Sequence, residues 1–133
     1  MAPLRNLLLK TKQAGKPIYG ICFGHQIMAD TFGGKAEMSQ IGNVVGARQF
    51  DFQGKLNDVY VWHRDQVTSA PPDAHVTATA GYCAVGALSY NFPAASVQFH
   101  PEYTELHLRK MFELASGYFL TTEDVNAAIA SFK

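Results

Sequence analysis

The chain has 133 residues, enough for one domain of ordinary size, and 47% of them are apolar, so it can bury a core. Eleven Lys and Arg residues balance eleven Asp and Glu residues, and this zero net charge argues against binding to nucleic acid or to an anionic membrane surface. Two cysteines, Cys22 and Cys83, are too few for a disulfide scaffold or a four-ligand zinc site, and they favour a reducing, cytoplasmic location. The N-terminal stretch MAPLRNLLLKTKQ lacks the apolar core of a signal peptide.

The first three predicted elements are a helix, a strand and a second helix. Leucines at helical spacing predict a helix that begins near Leu4 and closes before Gly15. Residues 17–21 form a short apolar stretch typical of a buried strand, and residues 23–32 return to helical spacing before two glycines. The order of these elements predicts a strand that turns directly into a helix.

The middle of the chain has the texture of strands, and its end is helical again. Short segments rich in β-branched and aromatic residues are separated by turn signals and predict strands over 44–52, 58–62, 76–80, 84–90 and 96–99. Residues 104–119 predict a helix, and a capping box from Thr121 to Asp124 opens a last helix through residue 130. The pattern predicts a mixed α/β fold, with residues 1–133 forming a single domain.

The strand-to-helix turn reads Gly20-Ile21-Cys22-Phe23-Gly24, and we call these five residues the elbow. A nucleophile on such a turn is displayed in a strained conformation, and close approach of the chain on either side explains a glycine two residues before and two after it. The helix N-terminus would favour the thiolate of Cys22, and the N–H of Phe23 could donate to an oxyanion. Five residues alone are more typical of an inert, packed cysteine, and it is the strand before them and the helix after them that favour an elbow.

A cysteine nucleophile needs a base, and the base needs a group that orients it. The segment SVQFHPE places His100 and Glu102 two residues apart, so that both can point to the same side of an extended chain. Pro101 between them fits the end of a strand. By itself this triplet could also be a surface corner, and it is the combination with the elbow that favours a catalytic site.

The stretches PIYGICFGHQIMADTFGGKAE, YVWHRDQVTSAPPDAHVTATA and ASVQFHPEYT resemble the class I glutamine amidotransferases, most closely the stand-alone group similar to the glutaminase domain of GMP synthase. The resemblance implies a flavodoxin-like α/β fold with a mostly parallel central sheet and antiparallel hairpins. It also implies a triad of Cys22, His100 and Glu102 that hydrolyses glutamine to glutamate and ammonia through a γ-glutamyl thioester.

The resemblance further implies that Gln26 contacts the amino-acid end of the substrate, and that the loop containing Arg64 and Asp65 helps to hold it. It implies a separate synthetase that accepts the ammonia. We find no metal-binding or phosphate-binding motif in the sequence and expect no cofactor. Two alternatives stay open: a γ-glutamyl peptidase acting on glutathione-like conjugates, and an inactive, truncated relative.

The resemblance also implies more chain before the elbow than the 21 residues present, including a strand beside the nucleophile strand and a Gly-rich loop that supplies a second oxyanion donor. We therefore expect a domain that lacks its first strand or strands, with an exposed sheet edge that favours self-association. Loss of one oxyanion donor lowers rates by about 100- to 1000-fold, so we expect weak activity from this chain alone.

Overall fold

The computed structural model describes residues 1–132, which form four helices and eight strands. The helices are α1 (Ala2–Gln13), α2 (Phe23–Thr31), α3 (Glu105–Ala115) and α4 (Thr122–Ser131). The strands are β1 (Ile18–Ile21), β2 (Lys35–Met38), β3 (Val44–Phe52), β4 (Lys55–His63), β5 (Asp65–Ser69), β6 (Ala74–Ala80), β7 (Cys83–Tyr90) and β8 (Ala94–Val97). The mixed α/β class predicted from the sequence is confirmed.

Six strands form the main sheet, in the order β1-β8-β7-β6-β3-β4, and β2 pairs with β5 in a separate two-stranded sheet. The β1–β8 pair is parallel, and the other described pairs are antiparallel. The parallel share of the sheet is therefore smaller than expected, because short turns connect most of these strands and a short turn permits only antiparallel pairing. Among the described residues β1 pairs with β8 alone, so β1 lies at a sheet edge, as expected.

Three apolar clusters hold the layers together. One joins α1 and α2 to the sheet and includes Leu8 and Met28. The two faces of β3 contact the other two clusters, since Val44 belongs to the cluster between the strands and Val45 to the cluster beneath α3 and α4. This separation follows from the alternation of side chains along a strand.

The helix ends in the C-terminal region agree with most of the sequence signals. The Thr104 side chain accepts a hydrogen bond from the backbone at the start of α3, and Thr121 and Asp124 form a reciprocal capping box at the start of α4. The expected extension of α3 to residue 119 is wrong: the helix ends at Ala115, because Ser116 takes an extended conformation and the next glycine has a φ of 83°. No helix within residues 1–132 is long and apolar enough to cross a membrane.

The strand order places β1 and β4 at opposite ends of the sheet, yet the sheet curls until they meet. The thiol of Cys22, directly after β1, lies 3.6 Å from the carbonyl oxygen of Trp62 in β4. The backbone N–H of His100, shortly after β8, donates to the carbonyl oxygen of Tyr60 in the same strand at 2.9 Å. The curl therefore gathers three strand ends into one region.

Candidate functional site

Cys22 occupies the turn between β1 and α2 in a conformation that few residues other than glycine adopt. Its φ is 55° and its ψ is −103°, and it is the N-cap residue of α2. Its own N–H donates to the carbonyl oxygen of Val97 at 2.9 Å, which ties the turn to the end of β8. A positive φ at a non-glycine residue is strained, and such strain is concentrated at functional sites. The geometry matches the elbow expected from the sequence.

The two glycines of the elbow differ in how closely the chain approaches them. A Cβ at Gly20 would lie 2.5 Å from the Met28 sulfur and 2.7 Å from the carbonyl carbon of Gly24. No atom within 4 Å would meet a Cβ at Gly24. The expectation that both positions must be glycine is therefore wrong for Gly24, because the crowding is all on the β1 side of the turn.

The Cys22 sulfur has several polar neighbours. The side-chain Nε2 of Gln98 lies 3.6 Å from it and can donate, and the thiol can itself donate to the carbonyl of Trp62 at the same distance. Burial raises the pKa of Cys22 to about 11. The hydrogen bonds from the N–H of Phe23 and from the Gln98 amide lower the pKa but do not offset burial. The negative charges of Glu102 and Asp65 also raise the pKa of Cys22. The N–H at the N-terminus of α2 thus favours the thiolate, as expected, but desolvation outweighs it and the net shift of the pKa is upward.

His100 and Glu102 form a hydrogen-bonded pair shortly after β8. Nδ1 of His100 lies 2.8 Å from Oε2 of Glu102, and the side chains are 14% and 49% exposed. Desolvation acts to raise the pKa of Glu102. The hydrogen bond from His100 and the charges of His100 and His107 outweigh desolvation, so the pKa is lowered. The Tyr103 ring stacks on the imidazole, with 4.0 Å between ring centroids and planes 3° apart. The contacts with Glu102 and Tyr103 hold the ring and leave Nε2 for chemistry.

The Gln26 side chain contacts the main chain of Asp65 rather than its carboxylate. Nε2 of Gln26 donates to the carbonyl oxygen of Asp65 at 2.8 Å. These two residues line a cavity of about 150 Å³ together with Phe23 and the ion pair of Arg5 and Asp30. Arg64 has an exposed side chain, and its carbonyl oxygen accepts from Ser39 at 2.8 Å.

Two further histidines near the elbow have their ring nitrogens in internal hydrogen bonds. His25 is fully buried, with Nδ1 2.7 Å from the Ser96 hydroxyl and Nε2 3.1 Å from the carbonyl of Val85. Burial lowers its pKa to about 4. Burial also lowers the pKa of His63, which bonds to the carbonyl of Asp65 and to the hydroxyl of Tyr82. These internal hydrogen bonds indicate a structural role for both histidines.

The sequence did not reveal Gln98 as a member of the site. This side chain is 0% exposed and lies between Cys22 and Gln26, accepting from Gln26 Nε2 at its Oε1 at 3.2 Å. A polar residue within the apolar stretch that precedes His100 was the available signal. Its partners come from distant parts of the chain, so the signal alone could not assign them.

The chain is similar in sequence to glutamine amidotransferases and to glutamine-hydrolysing GMP synthases. The family model for glutamine amidotransferase class-I matches residues 4–113. A glutamine-hydrolysing GMP synthase subunit from Methanopyrus kandleri is 36% identical over 96 residues, covering 65% of this chain and 51% of that protein. The GMP synthase of Pseudomonas fluorescens strain Pf0-1 is 35% identical over 125 residues, covering 80% of this chain and 23% of that protein. The chain thus spans about half the length of the Methanopyrus relative and about a quarter of the Pseudomonas relative.

Solved structures show the same fold. A glutamine amidotransferase from Methylobacillus flagellatus superposes with a TM-score of 0.77 at 21% identity, covering 86% of this chain and 50% of that one. A glutamine amidotransferase from Thermotoga maritima superposes with a TM-score of 0.75 at 21% identity, covering 85% and 52% of the two chains. At these identities the likeness establishes the architecture, and it agrees with the flavodoxin-like fold expected from the sequence.

Proposed function

Because the chain belongs to the glutamine amidotransferase class-I family, we propose that its elbow and its His100–Glu102 pair hydrolyse the side-chain amide of glutamine. The observation that carries this proposal is the joint anchoring of the two halves on β4. Cys22 contacts the carbonyl of Trp62, and the backbone of His100 is bonded to the carbonyl of Tyr60, two residues away in that strand. Residues far apart in the chain therefore share one strand end.

The first half of the proposed reaction makes a thioester. The Cys22 sulfur attacks the amide carbon of glutamine while His100 Nε2 takes the thiol proton. The C–N bond then breaks, and the same proton passes from His100 to the leaving nitrogen, which departs as ammonia. The N–H of Phe23 follows the nucleophile directly and would donate to the oxygen that gains negative charge.

The second half returns the enzyme to its starting state. A water molecule gives a proton to His100 and attacks the thioester carbon, and glutamate is released as the sulfur recovers that proton. Glu102 keeps Nδ1 of His100 protonated and so leaves Nε2 as the nitrogen that exchanges protons. Because burial raises the pKa of Cys22 to about 11, the resting thiol is protonated and a base must remove its proton during attack.

The family supports glutamine as the substrate, and the cavity beside Phe23 offers space for its amino-acid end. Gln26, Asp65 and Phe23 line that cavity, and Nε2 of Gln26 is already bonded within the protein. We assign the amino-acid end of glutamine to the Oε1 of Gln26 and to the loop of Arg64 and Asp65. Since several relatives are named as one subunit of a glutamine-hydrolysing GMP synthase, the proposed acceptor of the ammonia is a separate synthetase subunit. The two free thiols fit a reducing cytoplasm.

The proposal is tested with a glutamine analogue that carries an electrophilic carbon, 6-diazo-5-oxo-norleucine. Mass spectrometry of the treated 133-residue chain should show modification of Cys22 and not of Cys83, which is free but fully buried. Glutamine added beforehand should slow the labelling, because both compounds occupy one cavity. Absence of labelling, or labelling that glutamine does not slow, would refute the proposal.

Two controls separate the competing functions. His100→Ala should reduce labelling of Cys22 by at least about tenfold, because the general base is gone, whereas His75→Ala, at an exposed residue of β6, should not. Protection by γ-glutamyl peptides at lower concentration than by glutamine would instead support a γ-glutamyl peptidase. Release of glutamate from glutamine, measured on the same chain, then tests turnover directly.

A further inference from the structure

Cys22 and Gln26 are linked through a third side chain, that of Gln98. Gln98 is 0% exposed, and its Nε2 lies 3.6 Å from the Cys22 sulfur. Its Oε1 lies 3.2 Å from Nε2 of Gln26, which also lies 2.8 Å from the carbonyl oxygen of Asp65. These contacts connect the elbow, α2, β5 and the end of β8 in one chain of hydrogen bonds.

The Asp65 carbonyl determines which atoms donate along this chain. A carbonyl oxygen only accepts, so the Gln26 atom that faces it must be the amide nitrogen. That nitrogen also faces Gln98, which therefore presents its oxygen to Gln26 and its own nitrogen to the sulfur of Cys22. The orientation of the Gln98 amide follows from a backbone carbonyl two side chains away.

The Gln98 amide and the Trp62 carbonyl favour opposite charge states of the sulfur. The Trp62 carbonyl can only accept, so it suits the protonated thiol of Cys22. The Gln98 amide donates, and a donor interacts about twice as strongly with an anion as with a neutral group. Within a buried site, a donor of this kind stabilises the state that attacks the substrate.

We propose that Gln98 is a catalytic residue that donates a hydrogen bond to the Cys22 thiolate, and that Gln26 is a positioning residue that holds the Gln98 amide in the donating orientation. This inference rests on the proposed nucleophilic role of Cys22. It gives Gln26 a second task besides contact with substrate. It also accounts for a fully buried amide at the end of β8, where an apolar residue would avoid desolvation.

The test measures the reactivity of Cys22 without glutamine, so that it does not depend on turnover. The rate of alkylation by iodoacetamide is followed at the Cys22 peptide by mass spectrometry across a series of pH values. Gln98→Met retains the volume and removes the donor, and it should displace the pH profile upward by about one unit. The higher basicity of the sulfur restores part of its nucleophilicity, so the rate at fixed pH below the midpoint should fall by about threefold. Gln49→Met on the exposed part of β3 is the matched control and should leave the profile unchanged.

A second variant tests the relay from Gln26. Gln26→Leu leaves the Gln98 amide in place but frees its orientation, so it should displace the profile in the same direction by less. In a Gln98→Met background it should have no further effect, because coupled residues are not additive. Gln26→Leu also keeps the question open to measurement if Gln98→Met does not fold.

Three results would decide the matter. An alkylation profile of Gln98→Met that matches the unmodified chain at every pH would overturn the inference, and so would fully additive effects of the two variants. A displaced profile in a chain that neither binds nor hydrolyses glutamine would support the role of Gln98 and would refute the proposed function instead.

Discussion

Stability should fall between neutral and mildly acidic pH because His25 cannot take up a proton in the folded state. The ring is fully buried, with Ser96 at Nδ1 and the carbonyl of Val85 at Nε2. Burial lowers its pKa from 6.5 to about 4, against the hydrogen bond to Val85, which raises it. The carbonyl requires a proton on Nε2, so the neutral ring accepts from the Ser96 hydroxyl at Nδ1. Protonation of Nδ1 would remove that acceptor.

The magnitude follows from the difference between the two pKa values. Below pH 6.5 His25 binds a proton in the unfolded chain, whereas in the folded chain it binds one only below about pH 4. The free energy of unfolding therefore falls as the pH falls through this window. A difference of about 2.5 units corresponds to about 3 kcal/mol in full. Above pH 6.5 the contribution is constant.

Urea denaturation followed by the fluorescence of Trp62, the single tryptophan, measures this effect between pH 7 and pH 4.5. His25→Gln is the matched variant, because its amide can donate to the Val85 carbonyl and accept from Ser96 but does not titrate. The variant should lose less stability than the unmodified chain over this range, by about 2 to 3 kcal/mol. His63 and the carboxylates contribute equally to both proteins. An identical pH dependence in the two proteins would refute the account of His25.

Three further predictions concern the elbow, the His100 pair and the last helix. Gly20→Ala should lower the free energy of unfolding, measured in urea, by about 1–3 kcal/mol, since its Cβ would lie 2.5 Å from the sulfur of Met28. Gly24→Ala adds a Cβ that meets no atom within 4 Å, so it should be neutral or stabilising. Equal losses in the two variants would contradict the packing described. Glu102→Gln should slow labelling of Cys22 by the diazo analogue by at least about tenfold, because Nδ1 of His100 loses its charged partner; an unchanged rate would remove Glu102 from the mechanism. Thr121→Ala should lower the unfolding free energy by about 1 kcal/mol through loss of the cap on α4, as measured by thermal denaturation, and no change in stability would show that the cap contributes nothing.

Local signals were sufficient for most of the helices and strands. The long strand β3 has the bounds that its composition predicted, and the capping box at Thr121 opens α4 as expected. These elements depend on side-chain periodicity and on hydrogen bonds between residues three apart, and both are visible in the local sequence.

Strands β2 and β5 were not predicted, for a physical reason. Strand β2 alternates polar and apolar residues over only four positions, three of them exposed, and β5 begins with the exposed Asp65, so neither gives a strong strand signal. Each is a strand because it pairs with the other across about thirty intervening positions. The sequence around them gave no sign of that partner.

The residues of the elbow and of the His100–Glu102 pair could be identified from the sequence, because glycine spacing and a histidine two residues from a carboxylate are local patterns. Those patterns determined that a thiol, an imidazole and a carboxylate follow the ends of β1 and β8. The curl of the sheet determined their surroundings: it brought β4 against the ends of β1 and β8, buried the Cys22 sulfur and raised its pKa, and placed Gln98 beside it. Desolvation and hydrogen bonding between distant residues depend on atoms that become neighbours only when the chain is folded, so only the tertiary structure could decide them.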